Sequence, residues 1–314
     1  MRLLVVASYN RQRFAPFVKE QVCALERAGV EVSWFGVSGK GLRGYLRELP
    51  RLKQFIRDYH PDIIHAHYGL CGLLASMQSR VPVVTTYHGS DINQRHVRPF
   101  SRVAMRRSAA NIFVSRRLMR LSGHPRHALL LPCGVDENEW QGLSRTDARE
   151  LMHLVPEKRY VLFAGAIDNE VKDAPLALSA VALYQQEHAD EDVEMVELKG
   201  YDRREVTLFM CAVDCLLLTS KTEGSPQVVK EAMMCGCPIV SVDVGDVSER
   251  VSGVEGCYVV ESRTPQDLAD KLNEAFLFTG KTAGRQKIKS DGLLNSQIAA
   301  RLIDLYEDCW KIER

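Results

Sequence analysis

Short runs of nearly unbroken apolar residues alternate along this chain with segments whose apolar positions recur at helical spacing. "RLLVVAS", "VEVSWFGV", "DIIHAHY", "VPVVTTYHG" and "AANIFVS" read as strands buried on both faces. Between the first two lies "APFVKEQVCALERAG", whose apolar residues fall three and four apart, the spacing of one helix face. Strands that alternate with helices predict a parallel sheet covered on both sides. The pattern pauses over "LPCGVDENEWQGLSRTDARELMHLVPEKR", which is polar and helix-poor in its first half, and restarts with "YVLFAGA", "VEMVEL", "VDCLLLTS" and "CPIVSVD". The expectation is an α/β chain of two tandem doubly wound, Rossmann-like domains facing across a cleft. The first spans residues 1–138, the second 159–291, and a linker covers 139–158. The remaining residues, 292–314, include the amphipathic run "IAARLIDLYEDCW", long enough to form a helix that crosses back to the first domain.

In open parallel sheets ligands bind beyond the carboxyl ends of the strands. After "VDCLLLTS" comes "KTEGSPQVVKEAMMCG", in which Pro226 suits the start of a helix and Gly236 its end. Glu223 and Glu231 stand eight positions apart around that helix start, on the order of 12 Å at helical rise. That separation roughly matches a sugar and a ribose joined by a diphosphate. The first N–H groups and the positive dipole end of the helix suit phosphates between them. Each carboxylate can accept hydrogen bonds from vicinal hydroxyls. Spacing alone is equally met by a solvated Glu223 and a helix-surface Glu231.

Composition narrows the classes. The 314 residues are 46% hydrophobic and 26% charged, without repeats or low-complexity tracts, as in a soluble globular protein. The net charge of +1 hides an asymmetry: residues 1–138 hold 21 Lys and Arg against 9 Asp and Glu, leaving 20 against 31 in the remainder. A basic first half is either a set of solvated helix faces or the footprint of an anionic partner such as a membrane surface. A patch including Arg102, Arg106, Arg107, Arg116, Arg117 and Arg120 would suffice for anionic lipid. No apolar run reaches a membrane span, and "MRLLVVASYN" is too short for a signal peptide. Nine cysteines without a Cys-x-x-Cys fit a reducing cytoplasm, with Cys211 and Cys215 as small core residues. His65 and His67 share one face of a strand end, as metal ligands could, but no acidic third ligand stands beside them. They are expected to line an acceptor site or to pack. No Asp-x-Asp follows an apolar strand, and "DED" at 190–192 lies in a polar loop, so no metal site is expected.

With those residues in view, "EGSPQVVKEAMMCGCPIVSVDVGDVSE" resembles the E-x7-E region of the family 4 retaining glycosyltransferases, which have the two-domain GT-B fold. "LPCGVDENEW" resembles the family's Asn-Gly-Val-Asp stretch, with Cys133 in place of asparagine. "VLFAGAIDNEVKDAPLAL" resembles its Gly-Arg-Leu…Lys-Gly segment, and "DIIHAHY" and "TTYHGSD" its first-domain strand ends. The resemblance implies that Glu223 holds sugar hydroxyls and Glu231 the ribose. Ser225, Pro226, Gln227 and Val228 would complete the donor site, Lys172 would neutralise the diphosphate, and His88 would approach the sugar from the first domain. Arg11, His67 and Asp91 are the acceptor-side candidates. The implied reaction moves a sugar from a nucleotide diphosphate sugar to a glycan or lipid-linked acceptor, with retention and without metal or other cofactor. Nucleic acid is not expected as a partner, because no basic motif is interleaved with aromatic residues. Two departures stand out: Ala166 replaces an expected arginine, and "SYNRQRFAPF" lacks the family's paired glycines, leaving Arg11 or Arg13 to supply the lost charge. The alternatives are a sugar-nucleotide epimerase on the same fold and a non-catalytic sugar-nucleotide binder.

Overall fold

All strands pair in parallel, and they form two sheets, one in each of two units of the chain. The computed structural model describes residues 1–10, 12–138 and 143–312. The first unit comprises Met1–Val135 and Leu293–Arg314, the second Asp136–Gly292. Strands of the first unit are β1 (Arg2–Ser8), β2 (Glu31–Val37), β3 (Ile63–His67), β4 (Val83–Tyr87), β5 (Ala110–Phe113) and β6 (Ala128–Leu130), in the order β2-β1-β3-β4-β5-β6. Those of the second are β7 (Arg159–Phe163), β8 (Val193–Glu197), β9 (Cys215–Leu218), β10 (Ile239–Val242) and β11 (Cys257–Val260), in the order β11-β10-β9-β7-β8.

Central strands are apolar on both faces because helices cover both: Leu3, Leu4, Val5 and Val6 of β1 and Leu216, Leu217 and Leu218 of β9 are fully buried. The helix Pro16–Arg27 starts on proline, whose missing N–H costs nothing in a first turn, and buries Val18, Val22 and Leu25. Each sheet has one point where successive connections leave in opposite directions, between β1 and β3 in the first unit and between β7 and β9 in the second. A crevice opens there beyond the carboxyl ends of the strands.

The first unit ends at Val135, three residues before the expected boundary. Residues 139–142 of the expected linker lie outside the described residues. The rest of it, from 143 on, belongs to the second unit, because the helix Arg145–Leu151 packs on the helix Arg203–Ala212. Arg149 fixes that packing by donating to Ala212 O at 2.9 Å and pairing with the buried Asp214 at 2.8 Å.

The chain re-enters the first unit beside its exit. Val135 N donates to Leu293 O at 3.0 Å and Asn295 N to Val135 O at 2.8 Å. The helix Asn295–Ile312 then packs against the helix Pro16–Arg27, burying Ile298, Leu302, Tyr306 and Cys309 at successive turns. The Tyr306 hydroxyl lies 2.6 Å from His65 Nδ1, and His65 Nε2 lies 2.7 Å from Thr86 Oγ1. A buried ring nitrogen thereby finds a partner on an element 241 residues away. Tyr306→Phe keeps the ring and orphans that nitrogen, so it is expected to cost about 1–3 kcal/mol. Urea denaturation checks this, and an unchanged midpoint would show that the bond contributes nothing.

Candidate functional site

In the second unit the sheet register pairs Phe163 of β7 with Leu217 of β9, so the loops leaving these strands start level. The β7 loop passes Gly165 and Ala166 and returns to Lys172, whose Nζ lies 2.7 Å from Glu223 Oε1 on the β9 loop. Both side chains are about one fifth exposed, at 21% and 19%. The lysine stem runs over Gly165, where an added Cβ would stand 2.7 Å from Lys172 Cγ.

Three ties lock the two loops together. Lys221 N donates to Val171 O at 2.8 Å, and Thr219 Oγ1 donates to Lys172 O at 2.8 Å. The Arg263 guanidinium donates to Thr219 O at 2.6 Å and Ser220 O at 3.1 Å, and pairs with Asp173 at 2.6 Å.

Beyond Glu223 the chain enters the helix Gln227–Cys235, capped by Pro226 and closed by Gly236 in the left-handed conformation. Gln227 and Val228 are its first residues and half-buried, as is Ser225 before them. The loop after β10 presses on this entry: Gly245 has φ +65°, and a Cβ there would meet Gly224 O at 2.9 Å. Beneath the entry, Ser225 Oγ donates to Asp246 Oδ2 at 2.9 Å, and the fully buried Lys230 places Nζ 3.3 Å from Ser225 Oγ. Burial raises the Asp246 carboxyl, against the opposing pull of Lys230 and Arg250. Glu231 is buried, and Arg203 Nη1 lies 2.5 Å from its Oε1. Arg203 opens the helix Arg203–Ala212, fixed by a capping box between Asp202 and Glu205.

The first unit has its own crevice between the ends of β1 and β3, a cavity of about 490 Å³ lined among others by Asn10, Arg13, Phe14, Tyr45, Tyr68 and Asp91. Arg11 lies outside the described residues. His88 follows β4; its Nε2 is 3.1 Å from His67 Nδ1 and its Nδ1 is 3.8 Å from Cys133 Sγ. Its ring packs with those of His67, Phe17 and Tyr68. Asp91 lines the cavity, but its carboxylate accepts the backbone N–H groups of Gly89 at 2.9 Å, Gly69 at 3.2 Å and His88 at 3.4 Å. It therefore braces the turn that carries His88. Among the described residues no three His, Cys, Asp or Glu side chains are arranged to hold a metal ion.

The structure thus gathers Lys172, Glu223, Ser225, Pro226, Gln227, Val228 and Glu231 in one unit, and His67, His88 and Asp91 in the other. Sequence reasoning missed Arg203, Arg263, Lys230 with Asp246, and Tyr68, a non-glycine residue at φ +73° beside the crevice. Two signals were available: a lysine inside the apolar run "QVVKEAMMC", and the Asp-x-x-Glu box around Arg203.

Residues 5–139 match the family model described as Glycosyltransferase Family 4, and residues 153–276 the one described as Glycosyl transferases group 1. The two matches follow one another along the chain, the first within the first unit but for its last residues and the second within the second unit. The chain is 26% identical over 257 residues to the putative teichuronic acid biosynthesis glycosyltransferase TuaC of Bacillus subtilis, covering 71% of this chain and 63% of that protein. It spans about two thirds of the length of the curated relatives it matches. Among solved structures, sucrose-phosphate synthase from Thermosynechococcus elongatus superposes with a TM-score of 0.83 at 17% identity, covering 99% of this chain and 100% of that one. HepE of Anabaena, solved in complex with UDP, gives 0.76 at 19% identity, with 98% and 100% covered. These likenesses establish the fold, two parallel-sheet α/β domains of the GT-B type.

Burial brings His65 down to about 3 and holds His67 well below its ordinary value, so both stay neutral when folded. The unfolded chain protonates them near pH 6.5, so acid favours unfolding by about 1.4 kcal/mol per pH unit for each histidine. Asp91 acts the other way. Burial pushes it up to about 6, so below that pH the folded state holds the extra proton and offsets about one histidine. Lowering the pH from 7 to 5 should therefore destabilise the first unit by about 2 kcal/mol. Urea midpoints at the two pH values measure it, and equal midpoints would contradict it.

Proposed function

We propose that this chain, with the two domains of a family 4-type glycosyltransferase, moves a sugar from a nucleoside diphosphate sugar to a glycan or lipid-linked acceptor with retention of configuration. The observation that carries the reading is the Lys172–Glu223 pair, 2.7 Å apart at the strand switch point beside the start of the helix Gln227–Cys235. A cation, an acceptor of hydroxyl hydrogen bonds and a helix N-terminus within one loop pair are the groups a sugar diphosphate needs.

When donor binds, its phosphate takes the place of Glu223 at Lys172 Nζ, and the freed carboxylate accepts hydrogen bonds from the sugar. Glu231, steadied by Arg203, accepts those of the ribose. The acceptor hydroxyl bonds to the anomeric carbon as the carbon–phosphate oxygen bond breaks, and the departing phosphate takes the hydroxyl proton. Negative charge grows on that phosphate, and Lys172 with the helix dipole stabilises it, the task a divalent cation performs in metal-dependent enzymes. In the first unit, His88 is held in place by His67 and the Asp91-braced turn.

UDP is the first nucleotide to try, because HepE, alike in fold, was solved with it. A thermal-shift panel of nucleoside diphosphates and their sugars selects the donor, since a ligand that binds only the folded state raises the melting temperature. With that donor, Lys172→Ala should lower turnover by about 10²–10³-fold, the scale of a lost preorganised electrostatic contact. Glu231→Ala should weaken binding of the free nucleotide, whereas Glu223→Ala should spare it and impair transfer. Wild-type turnover in Lys172→Ala would mean that the diphosphate sits elsewhere. Ala166, in place of a cation, favours one other reading, a sugar-nucleotide binder; donor binding without transfer to any acceptor would support it.

A further inference from the structure

Between Asp91 and Asp136 the chain holds nine arginines and no acidic residue. There is no lysine there either. The fold distributes this stretch over the helices Arg98–Arg107 and Arg116–Ser122 and the strands β5 and β6. Arg102 and Arg106, one turn apart, line a groove of about 1080 Å³ together with Arg126 and His127 from the start of β6. Met105, Leu129 and Leu305 give the groove apolar surface, and Asp308 is its one carboxylate. The groove lies at the amino ends of β5 and β6, whereas the crevice described above lies beyond the carboxyl ends of β1 and β3.

Arg102, Arg106, Arg117, Arg120 and Arg126 are all exposed, and their guanidinium groups form no ion pair or hydrogen bond among the described residues. Unpaired arginines in that number repel one another, and their planar forks match phosphate oxygens bidentately. Two large apolar side chains stand exposed among them, Val103 at 39% and Leu121 at 41%.

We propose that this face of the first unit docks on an anionic phospholipid bilayer, with a headgroup phosphate in the Arg102–Arg106–Arg126 groove and Val103 and Leu121 entering the interface. Charge complementarity selects the anion. The apolar groove residues and the two exposed aliphatic side chains select lipid over nucleic acid, which offers no apolar phase. The proposal does not depend on the transferase reading, because it uses none of the donor-site residues.

Flotation of the full chain with vesicles tests it. Recovery is expected with phosphatidylglycerol-containing vesicles and not with phosphatidylcholine alone, and it should vanish near 1 M salt, where the Debye length is about 3 Å. Arg102→Glu/Arg106→Glu/Arg126→Glu should reduce partitioning by more than about 100-fold. Val103→Asp should reduce it several-fold, and the thermal shift given by the donor nucleotide should stay at the wild-type value in both. The milder Arg102→Gln/Arg106→Gln/Arg126→Gln serves if the charge reversal unfolds, and should show the same direction. Equal recovery with both vesicle types, or wild-type recovery of the arginine variants, overturns the proposal. So does complete release of the vesicles by millimolar inorganic phosphate, which would assign the groove to a free anion. Binding of an oligonucleotide in preference to vesicles, lost in the same variants, would overturn it as well.

Discussion

The candidate site of the second unit is built around the 2.7 Å contact between Lys172 and Glu223. With only about a fifth of each side chain exposed, the cost of desolvating the two charges offsets much of their attraction, so the pair is weak evidence for stability. Its value is geometric. The two residues lie 51 positions apart and meet because β7 and β9 are parallel neighbours in matched register at the switch point of the sheet. Arg263, Thr219 and Lys221 then tie one loop to the other through backbone carbonyls, so both charges are positioned before any ligand arrives. A site so prepared loses little entropy on binding. In the proposed function, exchange of the carboxylate partner for a phosphate would leave the lysine paired throughout.

Beneath that contact lies a second layer. Lys230 and Asp246 are buried charges that reach the same hydroxyl, Ser225 Oγ, from two elements, and Arg250 and Asp291 extend the chain of opposite charges. Burying such groups is costly unless each finds a partner. Their arrangement fixes the entry to the helix Gln227–Cys235 and with it the direction of the helix's first N–H groups. Glu231 on that helix is steadied from outside by Arg203. The expected arginine at 166 is an alanine, yet the region retains cations of other origin, on other elements.

Much of this was legible in the sequence, and the remainder was not for a physical reason. Apolar runs of strand length gave the two sheets, since burial on both faces leaves no other pattern. Glu223, Pro226, Glu231 and Gly236 could be read together because they are local to one strand end and one helix. Arg203 and Arg263 could not be assigned, because their partners lie 28 to 90 positions away and are set by strand order. The Tyr306–His65 bond spans 241 positions and rests on the last helix returning to the first sheet. Asp91, an acceptor-side candidate, lines the first unit's crevice, and its carboxylate also accepts the backbone N–H groups of Gly69 and Gly89, a second task that a string of side chains does not show. The sequence leaves His65 and His67 either lining an acceptor site or packing, and in the structure their rings are stacked and buried.

The proposed function requires a diphosphate to bind where Lys172 and the start of the helix Gln227–Cys235 converge. A crystal of the chain soaked with the nucleoside diphosphate that most raises its melting temperature tests this directly. Phosphate density is expected within hydrogen-bonding distance of Lys172 Nζ and the first backbone N–H groups of that helix, with the Lys172–Glu223 pair opened and the ribose against Glu231. Nucleotide density away from these groups, with the pair still closed, would contradict it.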